Sequence, residues 1–150
     1  MHRSRRRPAG PPKLFQMAPS VSLEIPPRSP YVGVVRLAVA ALARTAGLSE
    51  EAVEDLRIAV SEACANAVIA NEEAGSDEAV VVEWQEDERR LQVNVGDRGS
   101  GEPWQNDGVD TDGFSSRLAM SVALLESLVD QLSFAPREGG GTTATLTVLR

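Results

Sequence analysis

The sequence predicts an α+β domain, a two-layer α/β sandwich in which a mixed, mostly antiparallel sheet is covered on one face by three helices. Three observations lead there. Strand-like segments come in consecutive pairs, 80–85 with 91–95 and 131–136 with 144–148, which favours antiparallel pairing. Two segments carry apolar residues at three- and four-residue spacing, and a third is bracketed by helix start and stop signals. The strands do not alternate with crossover helices. No Gly-x-Gly-x-x-Gly or Gly-x-x-x-x-Gly-Lys-Ser/Thr loop is present, so a doubly wound sheet is not expected.

Residues 1–19 are rich in arginine and proline and lack periodicity, which predicts a disordered basic extension ahead of one folded domain over residues 20–150. Val21, Leu23 and Ile25 alternate with polar residues and are stopped by Pro26 and Pro27, a short first strand. Ser29 followed by Pro30 is a helix start, and Gly47 ends that helix in the left-handed conformation open to glycine. Ser49 caps the next helix, which runs to about Glu72. Its Leu56, Val60, Ala63 and Ala67 form one apolar stripe, with Asp55, Glu62 and Asn66 beside it. Val80, Val82 and Trp84 give one apolar strand face, and Leu91, Val93 and Val95 the same face of a hairpin partner. Residues 102–115 combine proline, glycine and acid and suit a functional lid. Leu118, Val122, Leu125 and Val129 mark a helix over 118–132. A strand begins near Gln131, residues 138–141 form a glycine-rich turn, and Ala144, Leu146 and Val148 belong to a last strand.

The chain has 150 residues and 42% hydrophobic content, enough for one domain with a real core. No run of eighteen apolar residues exists, so no membrane span is expected. The formal charge is −7, although residues 1–20 hold Arg3, Arg5, Arg6, Arg7 and Lys13 and no acid. The acidic body disfavours direct nucleic-acid binding and suits either a basic partner or simple solubility. Cys64 is the only cysteine, which excludes an internal disulfide and agrees with a reducing compartment. It is either a reactive thiol or a small residue in a semi-buried helical position. The single histidine, His2, leaves almost no material for a histidine zinc site or a catalytic triad.

Three stretches carry candidate chemistry. Glu62 and Asn66 lie one turn apart on the margin of a buried helix face, as a polar boundary or as a site. DRGSG at 97–101 places Asp97 near a strand end, where a carboxylate accepts from an exocyclic amine such as adenine's. Gly99 and Gly101 let the backbone turn tightly and approach a flat ligand. The same pattern is also an ordinary strand–turn. GGGTTATLTVL at 139–149 is a hairpin turn or a close backbone approach, with Thr142 or Thr143 supplying a hydroxyl.

Together, EDLRIAVSEACANAV at 54–68, DRGSG, the GTT of 141–143 and PYVGVVRL at 30–37 resemble the GHKL (histidine kinase-like) ATPase superfamily. The resemblance is closest to the anti-sigma factor serine/threonine kinases of the RsbW and SpoIIAB type, and it covers residues 21–150. It implies the Bergerat fold, ATP and Mg2+ as ligands, and a cytoplasmic stress-response regulator of transcription. Such a protein binds a sigma factor, phosphorylates a serine on an anti-sigma factor antagonist (a STAS domain protein), and forms a homodimer. By that resemblance Asn66 ligates the magnesium that bridges the ATP phosphates, Glu62 is the general base, and Asp97 reads adenine with Gly99 and Gly101. Thr143, with Thr142 as its neighbour, lies near the base, and Arg36 is a partner contact. Such chemistry is consistent with magnesium's small demand for protein ligands and with a carboxylate taking a hydroxyl proton. The sequence departs from the family at two places. Ala119 and Ser121 stand where a second motif, Gly-x-Gly-Leu, carries its glycines, with Gly113 and the Ser115–Ser116 pair as an alternative phosphate cradle. Ala70 stands where a histidine often follows the magnesium-binding asparagine. These departures leave open a partner-binding module of the same fold that handles nucleotide poorly.

Overall fold

The computed structural model describes residues 20–99 and 112–150, with the side chains of 112–115 excepted. The predicted tail, Gly101 and the greater part of the predicted lid lie outside the described residues. Within them the order is β1 (Ser20–Ile25), a 3-10 turn (Ser29–Tyr31), α1 (Val32–Thr45), α2 (Glu50–Ala74), β2 (Val80–Glu86), β3 (Arg90–Gly96), α3 (Asp112–Leu128), β4 (Gln131–Pro136) and β5 (Thr142–Leu149).

Local chemistry sets the helix ends. The Ser49 hydroxyl accepts the Ala52 N–H at 3.1 Å, and Glu50 and Glu51 place negative charge in the first turn of α2, where the helix dipole favours it. Gly75 closes α2 at φ 70°, and the Ser76 N–H returns to the Asn71 carbonyl at 2.8 Å. Pro30 opens the turn that leads into α1. At the far end of α1 the Gly47 N–H reaches the Arg44 carbonyl and the Leu48 N–H the Ala43 carbonyl. α3 begins at Asp112 and ends at Leu128, so it starts earlier than its apolar period predicts and stops before Gln131. At that point the chain is committed to β4, because the Asp130 N–H bonds to the Thr147 carbonyl on β5.

The five strands lie in the order β1-β2-β3-β5-β4, and all four pairings are antiparallel. The sheet predicted as mixed therefore has no parallel pair among the described residues. The register puts Leu23, Val82, Trp84, Leu91, Val93, Val95, Ala144 and Leu146 on one face. α2 lies against that face, with α1 and α3 packed on α2. The core joins this sheet face to Val35, Val39, Ala43, Val53, Leu56, Val60, Ala63, Cys64 and Ala67 of the helices and to Leu125 of α3. Complete burial of side chains such as Leu56 and Leu146 contributes about 1.5–3 kcal/mol each. The other sheet face is polar, and cross-strand pairs such as Thr145 Oγ1 to Asn94 Oδ1 at 2.9 Å run along it.

Candidate functional site

α2 organises the site because it serves two faces at once. Its apolar stripe fixes its rotation on the sheet, and this turns Glu62, Asn66 and Ala70 into a row along one flank at four-residue spacing. The row runs about 12 Å along the helix axis. α3 lies over the first two members. Ser121 on α3 is buried, its Oγ accepts from Asn66 Nδ2 at 2.5 Å, and its hydroxyl donates to Glu62 Oε2 at 2.6 Å. Glu62 and Asn66 thus meet through a third residue rather than through a direct i,i+4 bond. The three side chains put a carboxylate, a carboxamide and a hydroxyl within hydrogen-bond reach of one another.

The loop after β3 lies over the third member of the row. A Cβ on Gly99 would stand 2.7 Å from the Ala70 Cβ and 2.9 Å from the Ala70 carbonyl oxygen, so the loop backbone rests directly on α2. A residue larger than alanine at position 70 needs that loop displaced. The Asp97 carboxylate is 5% exposed, and its Oδ1 accepts the Gly99 N–H at 2.8 Å and the Thr142 N–H at 3.2 Å. Burial raises its pKa above the ordinary carboxylate range, opposed by those two N–H groups and by the Arg137 and Arg98 guanidinium charges. The Asp97 backbone is held as well. Its N–H donates to the Thr142 carbonyl at 2.9 Å, and its carbonyl accepts from the Arg137 guanidinium at 2.8 Å. Gly141 has φ 101°, and a Cβ there would collide with the Asp97 carbonyl oxygen, so the glycine-rich turn is shaped around Asp97.

Several of the residues singled out by sequence are thus brought together in two adjoining clusters. Glu62, Asn66 and Ser121 form one, and Asp97, Gly99 and Thr142 the other, with Ala70 between them. Thr142 and Thr143 separate. Thr142 is buried on the helix-covered face beside Asp97, whereas the pairing of Thr143 with Gly96 puts its side chain on the opposite face of the sheet. The residue that shares a face with Asp97 is therefore Thr142, the neighbour of the Thr143 that the resemblance singles out. Ala119 is exposed on α3, so only the second of the two substituted glycine positions faces α2. Arg36 lies outside both clusters. It is exposed on α1, and its Nε donates to Ser61 Oγ at 2.9 Å, next to Glu62 in sequence. Cys64 is fully buried and its thiol is pushed up to about 12 by desolvation, which supports the packing role over the reactive thiol.

One supporting residue escaped the sequence reading. Asn71 is completely buried. Its Nδ2 donates to the Glu78 carbonyl at 2.8 Å, and its Oδ1 accepts the Arg98 N–H at 2.7 Å. It ties the end of α2 both to the approach to β2 and to the Asp97 loop. The signal was present, since Asn71 falls four residues after Ala67 on the apolar stripe. A polar side chain in a buried register must find partners.

No group of three or more histidine, cysteine or acidic side chains suited to a metal exists among the described residues. The Glu62, Asn66 and Ser121 oxygens are instead the hard donors that suit magnesium, which keeps several of its waters and takes few protein ligands. No helix among the described residues is long and apolar enough to cross a membrane.

The histidine kinase-like ATPase domain family matches residues 25–148. The serine-protein kinase RsbW of Bacillus velezensis is 32% identical over 138 residues, spanning 85% of this chain and 83% of that protein. The RsbW of Bacillus pumilus is 31% identical over 129 residues, 79% and 80% of the two chains. The RsbW of Listeria innocua is 39% identical over 84 residues, and there the match spans only 54% of the relative's length. Among solved structures, a Mycobacterium tuberculosis protein with RsbU and RsbW domains superposes with TM-score 0.65 at 23% identity, covering 87% of this chain and 32% of that one. A chain of the SiaB–SiaC complex of Pseudomonas aeruginosa superposes with TM-score 0.58 at 12% identity, covering 87% and 88%. These two likenesses concern the fold. With the family match spanning most of the chain and two relatives aligned over most of their length, the chain belongs to the histidine kinase-like ATPase family, with proteins named serine-protein kinase RsbW as its relatives.

Proposed function

We propose that this protein is an anti-sigma factor that binds Mg-ATP and phosphorylates a serine on an antagonist protein. One observation carries the reading. Glu62 accepts a serine hydroxyl at 2.6 Å while Asn66, one turn away, reaches the same oxygen. A carboxylate in that contact is placed to take the proton as a hydroxyl attacks phosphorus. Asn66 is the residue that would hold magnesium, whose chemistry there is to neutralise charge on the phosphates. Asp97 reads the adenine amine, with Gly99 and Gly101 as the glycines of its motif and Thr142 beside it. Thr143 and Ala119 contribute backbone at most. The ATPase domain is assigned to residues 20–150, without the basic residues 1–19. The partners are a sigma factor and an antagonist of the STAS type, and the protein acts in the cytoplasm as a homodimer. The names of the RsbW relatives support the kinase reading, and the SiaB–SiaC complex supports a partnership between such a fold and a second protein. Arg36, exposed on α1 beside Val34 and Leu37, is the partner contact.

A second reading is a partner-binding module with little nucleotide affinity. It is favoured by Ser121, whose side chain occupies both Glu62 and Asn66 at a position where the family pattern has glycine and so no side chain. Calorimetry with MgADP separates the two. The kinase reading expects binding by the wild-type protein and its loss in Asn66→Ala and Asp97→Ala. With labelled ATP and a candidate antagonist, Glu62→Ala should lose about a hundredfold or more in transfer rate. Absence of wild-type binding sinks the kinase reading and leaves the module, and undiminished transfer by Glu62→Ala removes the base from Glu62.

A further inference from the structure

The contact that closes the site is also the contact an acceptor serine must make. Ser121 is 4% exposed, sits on α3 facing α2, and donates its hydroxyl proton to Glu62 Oε2 at 2.6 Å. The lone-pair side of the same oxygen receives Asn66 Nδ2 at 2.5 Å. Nucleophile and base within hydrogen-bond reach, beside the anchor for the phosphates, are the parts that phosphoryl transfer to a hydroxyl requires. Other serines of the described residues are engaged differently. The Ser61 hydroxyl donates to the Arg57 carbonyl and accepts from Arg36, Ser127 donates to the Leu124 carbonyl, and Ser49 caps α2.

We propose that Ser121 is an intramolecular phosphoacceptor, so that the protein phosphorylates itself when ATP is present and no antagonist competes for Glu62. The inference rests on the reading that the site binds ATP. In the step, Ser121 Oγ forms a bond to the γ-phosphorus, the bond from that phosphorus to the β–γ bridging oxygen breaks, and ADP leaves. The hydroxyl proton passes to Glu62. Nothing is oxidised or reduced, and the only co-reactant is the nucleoside triphosphate.

The product has a regulatory consequence. Phosphoserine at 121 puts close to two negative charges, spread over the three non-bridging oxygens of the group on Oγ, against the Glu62 carboxylate. Repulsion from Glu62 drives α3 away from α2 and opposes a second triphosphate at the same place. The modified chain should therefore bind nucleotide at least about tenfold more weakly than the unmodified one. An antagonist serine that reaches Glu62 first spares the enzyme this self-inactivation.

The test uses the full chain alone with Mg-ATP, followed by intact mass, peptide mapping and MgADP calorimetry on the same preparation. The expected result is the mass of one phosphate on the peptide that carries Ser121, with a rate constant independent of protein concentration. Incorporation should be absent in Ser121→Ala, retained in Ser121→Thr, and slowed about a hundredfold or more in Glu62→Gln. If MgADP binds and no phosphate appears on Ser121, the inference is overturned and the kinase reading stands. A phosphate on another residue, a rate that scales with protein concentration, or an undiminished rate in Glu62→Gln also overturns it. If MgADP does not bind, the kinase reading and this inference fall together, and the partner-binding module remains.

Discussion

Burial raises the Asp97 carboxyl above its usual range, against the pull of the Gly99 and Thr142 N–H groups and the nearby guanidinium charges. Between the unfolded and folded pKa the native state therefore binds more protons than the unfolded chain, so this residue's contribution to stability falls as pH rises through that window. Asp97→Asn keeps an oxygen acceptor for both N–H groups and removes the charge. The variant should gain stability over wild type at pH 7, and the gain should shrink as pH is lowered through the carboxylate range. Urea denaturation at pH 7 and at successively lower pH measures it, and a difference that grows on acidification refutes the argument. On the proposed function the variant also loses the charged acceptor for an adenine amine, so that reading expects Asp97 to serve binding at the expense of stability. Nothing in DRGSG as a string conveys this. The motif supplied the carboxylate and the glycines, but burial and the Thr142 N–H come from β5, forty-five positions later in the chain.

At the scale of elements, α2 decides what the rest can do, and most of it was legible. Its cap at Ser49 and its apolar stripe follow from local chemistry that operates within a few residues, and the helix passes its expected end near Glu72 only as far as the Gly75 stop. The strand pairs were readable for the same reason, since alternation is local and consecutive strands prefer to pair. The start of α3 was not, because Asp112 to Arg117 carry acid, glycine and serine without an apolar period. Neither were the contacts between elements. That Ser121 closes on Glu62 and Asn66 depends on how α3 crosses α2, and that Thr143 faces away depends on its register with Gly96. Asn71 shows the joint between elements most directly. Asn71→Ala strands the Glu78 carbonyl and the Arg98 N–H, at a cost of about 2–3 kcal/mol. Denaturant melts should show that loss, and MgADP affinity should fall with it because the loop carrying Asp97 loses its tie to α2. Affinity unchanged in a destabilised variant would show that Asn71 holds the fold without positioning the loop.

For the whole molecule, the same helix that carries Glu62 and Asn66 contributes Val53, Leu56, Val60, Ala63, Cys64 and Ala67 to the core. A ligand held on one flank of α2 and on the Asp97 loop therefore touches the element that global unfolding must break. Binding to the native state alone stabilises by RT ln(1 + [L]/Kd), about 2.7 kcal/mol at a hundredfold excess over Kd. For a chain of this length each kcal/mol moves Tm by about 2–4 °C, so MgADP at that excess should raise the wild-type Tm by about 5–10 °C. The shift should grow with the logarithm of nucleotide concentration and be absent at the same concentrations in Asn66→Ala and Asp97→Ala. The two variants lie in different clusters, on α2 and at the end of β3, so loss in both ties the clusters to one ligand. A thermal melt series with and without magnesium makes the measurement. A shift preserved in Asp97→Ala but lost in Asn66→Ala would mean that phosphate alone is being held at the α2–α3 contact, and that the pocket does not extend past Ala70 to the Asp97 carboxylate proposed to read the base.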